Sequence, residues 1–337
     1  MEEEVMRVWN RRDFVKTSAM GLAMTAGRLG WPVPASAKVS LVTVGSGGRE
    51  EAIRRAVDLI GAPSFRGEYV ALKPNFNSAH AFPGGTHADT LDVLVRLIRD
   101  AGADRVVVPD RSGMGNTREV YEEKGVFEQA EKLGFEAMPL HELPAEGWTA
   151  VEHPDLHWSQ GYYLGSIFNE VDSIVQTCCL KTHGFGGHFT LSLKNTIGMI
   201  AADVPGVDHQ FMRELHSSPD QRRMIAEANL CYQPKLIVMD AIECFTDRGP
   251  HEGTRAQPNV ILASTDRVAI DAVGVAILRE KGTTEEVSQG RIFDLEQLKR
   301  AGELGIGVDR QENIEFVTMS GESEAYARKL RGFLQAD

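Results

Sequence analysis

From about residue 39 onward, short apolar runs alternate with segments whose apolar positions recur every three or four residues. Residues 39–44 read as a strand, and residues 49–60 as a helix with Ala52, Ile53, Ala56, Val57 and Ile60 on one face. Residues 69–72 predict a second strand. Residues 89–101 predict a helix carrying Leu91, Val93, Leu94, Leu97 and Ile98 and stopped by Gly102, and residues 105–108 a third strand. One or two helices are predicted over 117–133 and a short strand over 135–139. Residues 173–180 are apolar on both parities, which predicts a buried strand. Helices are predicted over 190–200 and 221–230, and strands over 236–239 and 260–263. A helix over 266–280 is opened by the Ser264-Thr265-Asp266 cap, and 313–318 is a last strand. Such alternation predicts an α/β fold, a mainly parallel sheet covered by helices on both faces. Residues 140–170, with Trp148, Trp158 and the Tyr162-Tyr163 pair, break the alternation and predict a small antiparallel insertion.

The chain ahead of the first strand follows a different logic. Asn10-Arg11-Arg12-Asp13-Phe14-Val15-Lys16 places two arginines before a hydrophobic pair and a lysine. A weakly apolar stretch covers 17–27, and Ala35-Ser36-Ala37 offers small residues for cleavage. These three parts in order predict a twin-arginine signal peptide over 1–37 and one domain over 38–337. The twin-arginine translocase is then the transport partner, and the periplasm or the medium the destination. The apolar stretch is shorter than the roughly 20 residues a lasting membrane span needs. Export in the folded state allows a cofactor to be loaded beforehand, so a metal ion or redox group stays open.

Charge and cysteines narrow the picture. The chain has a formal net charge of −12, and residues 1–37 hold five basic and four acidic residues, so their removal makes it more acidic still. A general field of that sign excludes nucleic acid and anionic lipid as partners. Cys178, Cys179, Cys231 and Cys244 match neither an iron–sulfur run nor a paired zinc site, so no iron–sulfur cluster is expected. Cys178 and Cys179 sit in an apolar run and read as buried thiols. A Cys231–Cys244 disulfide is compatible with an oxidising compartment.

The chemistry-bearing residues gather where strands end. The second strand runs into Lys73-Pro74-Asn75, the third into Pro109-Asp110, the buried strand into Lys181-Thr182-His183, and the next into Asp240. Ligands of open parallel sheets bind outside these carboxyl ends, so distant residues can meet in one crevice. Lys73, Asp110, Lys181, His183, Lys194 and Asp240 are therefore expected to line one site. The richest segment is Lys181-Thr-His-Gly-Phe-Gly-Gly-His-Phe-Thr-Leu-Ser-Leu-Lys-Asn195. Its glycines allow close backbone approach, Thr190 is a candidate helix cap, and Lys181, His183 and Lys194 suit a carboxylate or phosphate. His183 also has the proton affinity of a general base. Gly45-Ser46-Gly47-Gly48 lacks the third glycine of the dinucleotide pattern and reads as a plain strand–helix turn. His87, His188, His209 and His216 match no zinc spacing.

At these residues the chain resembles the family catalogued as domain of unknown function 362, over about residues 39–278. The resemblance rests on Leu72-Lys73-Pro74-Asn75 with Thr86-His87, on Asp110, and on Leu180-Lys181-Thr182-His183. It continues through Thr190, Leu193-Lys194-Asn195-Thr196-Ile197-Gly198, His209, Asp240-Ala241-Ile242, Gly249-Pro250 with Gly253, and 263–271. Many relatives carry a ferredoxin-like segment, which implies redox chemistry for them; this chain has none. The expectation is an exported enzyme for a small anionic substrate. Its catalytic candidates are His183, Lys181, Lys194 and Asp240, and its substrate-binding candidates Lys73, Asn75, Thr86, His87, Asp110 and Asn195. The alternatives are a non-catalytic ligand-binding or cofactor-maturation protein, and an electron-transfer partner, which the cysteine count disfavours.

Overall fold

The computed structural model describes residues 33–336. The twin-arginine motif and its apolar stretch lie outside the described residues. Ala37, expected to precede the cleavage point, is the first residue of a strand.

The first half alternates strand and helix: β1 (Ala37–Thr43), α1 (Gly48–Leu59), β2 (Tyr69–Lys73), α2 (Ala88–Asp100), β3 (Arg105–Asp110), α3 (Thr117–Glu123), α4 (Val126–Leu133) and β4 (Glu136–Pro139). The insertion forms an antiparallel pair, β5 (Trp148–Val151) and β6 (Tyr162–Gly165). Then come α5 (Ile167–Glu170), β7 (Ser173–His183), β8 (His188–Thr190), α6 (Ser192–Asn195), α7 (Phe211–Ser217) and α8 (Gln221–Glu227). The last part holds β9 (Leu236–Phe245), β10 (Arg255–Ala256), β11 (Val260–Ser264), α9 (Arg267–Lys281), α10 (Glu285–Ser288), α11 (Glu296–Glu303), β12 (Ile314–Val317) and α12 (Gly321–Gln335).

The main sheet runs β12-β1-β11-β9-β7-β2-β3-β4, with β8 paired to β7 and β10 to β9. Along this path every pair is parallel except the two made by β11, which runs antiparallel to both β1 and β9. The fold is thus the expected mainly parallel α/β sheet with a small antiparallel insertion. The carboxyl ends of β1, β2, β3, β7 and β9 share one edge.

Side-chain alternation divides the core. Leu236, Val238, Val70, Leu72 and Val42 pack with α1 and α2 on one face. Ile237, Met239, Val39 and Leu41 pack with α9 and α12 on the other. On that other face, Ala71, Val107 and Ile174 meet the insertion, α7 and α8. The cap expected at Asp266 is present: its carboxylate accepts Val268 N at 2.9 Å and Ala269 N at 2.8 Å. Among the described residues, no helix is long and apolar enough to cross a membrane.

Three local expectations are corrected. The buried strand continues to His183 and turns back into β8, with Lys181 opposite Thr190 and His183 opposite His188, so the glycine-rich segment is a hairpin loop. Thr190 consequently ends a strand and caps nothing. The helix after it is a single turn, α6, continued by a 3-10 turn over Thr196–Met199. Its first amides are held by Asp271 of α9, which accepts Ser192 N at 2.7 Å and Leu193 N at 2.9 Å. Cys231 and Cys244, whose pairing the sequence left open, are both free thiols. Cys231 Sγ lies 2.8 Å from the Tyr162 hydroxyl, and Cys244 belongs to the α9 core.

Candidate anion site

At the carboxyl ends of β2, β3 and β7 lies a crevice of about 410 Å³. Its floor is made by Lys73, Asn75, Asp110, Arg111, Lys194 and Asn195. His183, Thr190, Asn77 and Gly198 contribute walls, and α7 adds Met212, Arg213 and His216. Six sequence-predicted residues therefore meet here: Lys73, Asn75, Asp110, His183, Lys194 and Asn195.

Two predicted residues do not line it. Asp240 shares its parity with Leu236 and Val238, so its carboxylate faces α1 and α2. There it accepts Arg49 Nε at 2.8 Å and Thr90 Oγ1 at 2.6 Å. Lys181 is fully buried and donates to Gly84 O at 2.5 Å. Burial lowers its pKa to about 8. The remaining two also lie outside the crevice. Thr86 Oγ1 accepts Asn75 N at 2.8 Å, and His87 caps α2 by accepting Asp89 N at 3.1 Å.

Inside the crevice the charged groups differ in how fully they are satisfied. The Lys73 ammonium has three acceptors: Asp110 Oδ1 at 2.7 Å, Pro74 O at 2.6 Å and Asn195 Oδ1 at 3.2 Å. Asp110 also accepts Phe76 N at 2.7 Å and Arg111 N at 2.8 Å. Burial pushes Lys73 down and Asp110 up, and each is opposed by its partner's charge. With every proton placed, the pair is a structural brace. Gly198 is required beside it, because a Cβ there would lie 2.3 Å from Asp110 Oδ1 and 2.8 Å from Lys73 Nζ.

Arg111, which sequence reasoning passed over although it follows Asp110 directly, braces the opposite wall. Its guanidinium donates to Ile200 O at 2.6 Å, Ser112 O at 2.8 Å and Ile197 O at 3.1 Å. Burial lowers its pKa to about 10.

Lys194 is the contrast. The residue is 8% exposed and lines the crevice, and its ammonium reaches the open cavity with no hydrogen bond or ion pair among the described residues. Burial, with Lys181 and Arg111 nearby, pulls its pKa from 10.5 to about 7. His183 adjoins it: a Cβ built on Gly187 would lie 2.8 Å from Lys194 Cε and 2.9 Å from His183 Nδ1. Burial first, then the charges of Lys194 and His216, hold the His183 pKa well below 6.5, so its imidazole is neutral at pH 7. Its Nδ1 is buried without a partner, as are Asn75 Oδ1, Asn77 Nδ2 and Thr190 Oγ1. Unpaired buried polar atoms are costly, and four of them around an unpaired ammonium mark where a ligand or water belongs.

Among the described residues, Asp110 is the sole carboxylate on the crevice wall, and Lys73 neutralises it. The surplus is cationic, from Arg111, Lys194 and Arg213, inside a chain of net charge −12. Among the described residues, no three His, Cys, Asp or Glu side chains are grouped as a metal site. His209 pairs with Glu214 at 2.7 Å instead, and His216 binds Met212 O at 2.7 Å.

No curated protein matches the chain. Among solved structures, the apoprotein of lactate racemase from Thermoanaerobacterium thermosaccharolyticum is similar at 15% identity, with a TM-score of 0.43. The likeness covers 71% of this chain and 56% of that one, so the chain spans little more than half the length of that protein. The family model described as "Domain of unknown function (DUF362)" matches residues 70–276. That span takes in β2 through most of α9, and with them every residue that lines the crevice; the chain belongs to the DUF362 family.

Proposed function

We propose that this chain is an exported enzyme acting on a small anionic substrate, a carboxylate or a phosphate, bound in the crevice at Lys194. The observation that carries the reading is the Lys194 ammonium, which ends a largely buried side chain and faces the crevice with no protein partner among the described residues. A buried charge is tolerated when something pairs with it, and an anion is the pairing chemistry. Asn77 Nδ2 and Thr190 Oγ1 offer further donors to the same ligand. The twin-arginine motif at Asn10–Lys16 supports export.

In this reading His183 moves the proton. The imidazole is neutral at pH 7 and so free to accept a proton, an anion seated at Lys194 offsets the charge that depresses its basicity, and the lysine charge stabilises negative charge that develops as the proton leaves. Lys73, Asp110 and Arg111 hold the floor in place. Lys181 holds the loop at Gly84 and Asp240 holds α1 and α2, and neither takes part in the chemistry.

Mass spectrometry of the natively exported protein tests the proposal. An anionic metabolite should leave wild type in stoichiometric amount and be missing from Lys194→Met. His183→Ala should keep the metabolite and lose turnover. A wild type without any anionic ligand would count against the reading. Binding that persists with no turnover under any condition would make the chain a binding protein.

A further inference from the structure

The crevice is not polar throughout. Only four large hydrophobic side chains are classed as exposed among the described residues: Val33, Met114, Phe185 and Met319. Two of them, Met114 and Phe185, line this crevice. An exposed apolar side chain is ordinary by itself, but two at the mouth of a cationic pocket form a patch with a direction.

Phe185 is held there. It sits at the tip of the β7–β8 hairpin, 56% exposed and outside the hydrophobic clusters of the core. The loop around it is tied down. Gln221 Nε2 donates to Phe185 O at 3.1 Å, Arg222 to Gly186 O at 2.9 Å, and Gly184 N to Arg248 O at 2.9 Å. The ring stacks on His251 with centroids 6.2 Å apart and planes 16° apart, and meets the edge of His183 at 5.7 Å. Phe185 therefore continues an aromatic wall from His183 outward. Deeper in, Ile197 and Pro250 add apolar surface.

Resting on the anion-site reading, we infer that the ligand is amphipathic: an anionic group seated at Lys194 and an aryl body lying along Phe185 and Met114. A bare inorganic anion or a sugar phosphate leaves that wall in water. A ring placed against it covers apolar surface on both partners, and flat rings pair favourably with Phe185. Covering roughly 50–60 Å² of apolar surface at the mouth corresponds to about tenfold in affinity.

Calorimetric titration of the full chain separates the alternatives. The ligands are acetate and inorganic phosphate, 3-phenylpropionate and phenyl phosphate, and the uncharged 3-phenylpropanol. In wild type, each aryl anion should bind about tenfold more tightly than its small counterpart, and the alcohol should not bind measurably. Whether phenylpropionate or phenyl phosphate gains more distinguishes a carboxylate ligand from a phosphate. Phe185→Ser should bring the aryl anions down to the affinity of the small ones. Equal affinities in wild type, or an aryl advantage that survives in Phe185→Ser, would overturn the amphipathic ligand and leave the anion site standing. Failure of every anion to bind would overturn both.

Discussion

Replacing Lys194 by methionine should make the ligand-free protein more stable, by an amount that depends on pH. The lysine is buried, its ammonium has no acceptor among the described residues, and its pKa is drawn from 10.5 to about 7. A gap of roughly 3.5 units corresponds to about 4–5 kcal/mol at 1.36 kcal/mol per unit. Water entering the open crevice offsets part of that, so the working expectation is roughly 2–4 kcal/mol. Between about pH 7 and pH 10.5 the unfolded chain keeps the proton on this lysine and the folded chain releases it, so wild-type stability rises with pH across that window. Below pH 7 both states carry the proton and the penalty is constant. Methionine fills similar space and does not titrate. Guanidinium unfolding of wild type and Lys194→Met, with no ligand present, should show the variant more stable at pH 6–7. The difference should shrink steadily as the pH approaches 10.5. A difference that stays flat with pH, or a variant less stable than wild type at pH 7, would refute the claim that this ammonium sits poorly solvated and without a protein partner.

Other expectations follow from single contacts. Asp271→Ala removes the acceptor for Ser192 N and Leu193 N and should destabilise the fold by about 2–4 kcal/mol; anion titration should show weakened binding as well, because Lys194 rides on that turn. Gly198→Ala drives a methyl between Asp110 and Lys73, and denaturant melts should record a loss of about 1–3 kcal/mol. Changing Arg11-Arg12 to Lys-Lys should retain the precursor in the cytoplasm, while wild type appears outside as a form starting at Lys38, and fractionation with N-terminal sequencing reads the result; efficient export of the variant would contradict a twin-arginine route.

The sheet was legible because its apolar runs have strand length and are punctuated by capped helices. Lys73, Asp110 and His183 could be placed together because parallel strands bring their carboxyl ends to one edge, and Lys194 because it follows the glycine-rich segment that starts there. The misplacement of Asp240 has a legible cause: it lies two positions after Val238 on the same strand, and that shared parity already points it at α1 and α2. The hairpin at Gly184–Gly187 was hidden because glycines suit a ligand loop and a tight turn equally well. The direction of β11 follows from its tertiary neighbours, which no local pattern encodes. The α7 wall, with Met212, Arg213 and His216, was equally invisible, since only packing of α7 against the rest of the chain brings it over the crevice. Phe185 stood in plain view between glycines, but its meaning depends on knowing that His183 and His251 flank its ring.

The most direct test of the anion site is the number of protons taken up on binding. At pH 8 a lysine with a pKa of about 7 is only about one-tenth protonated, and an anion seated against it draws the proton on. Titration calorimetry with acetate or 3-phenylpropionate, both fully ionised at that pH, in buffers of different ionisation enthalpy yields this number. The structure predicts uptake approaching one proton per ligand in wild type and close to none in Lys194→Met. Binding without proton uptake in wild type, or the same uptake in Lys194→Met, would contradict an anion held by Lys194.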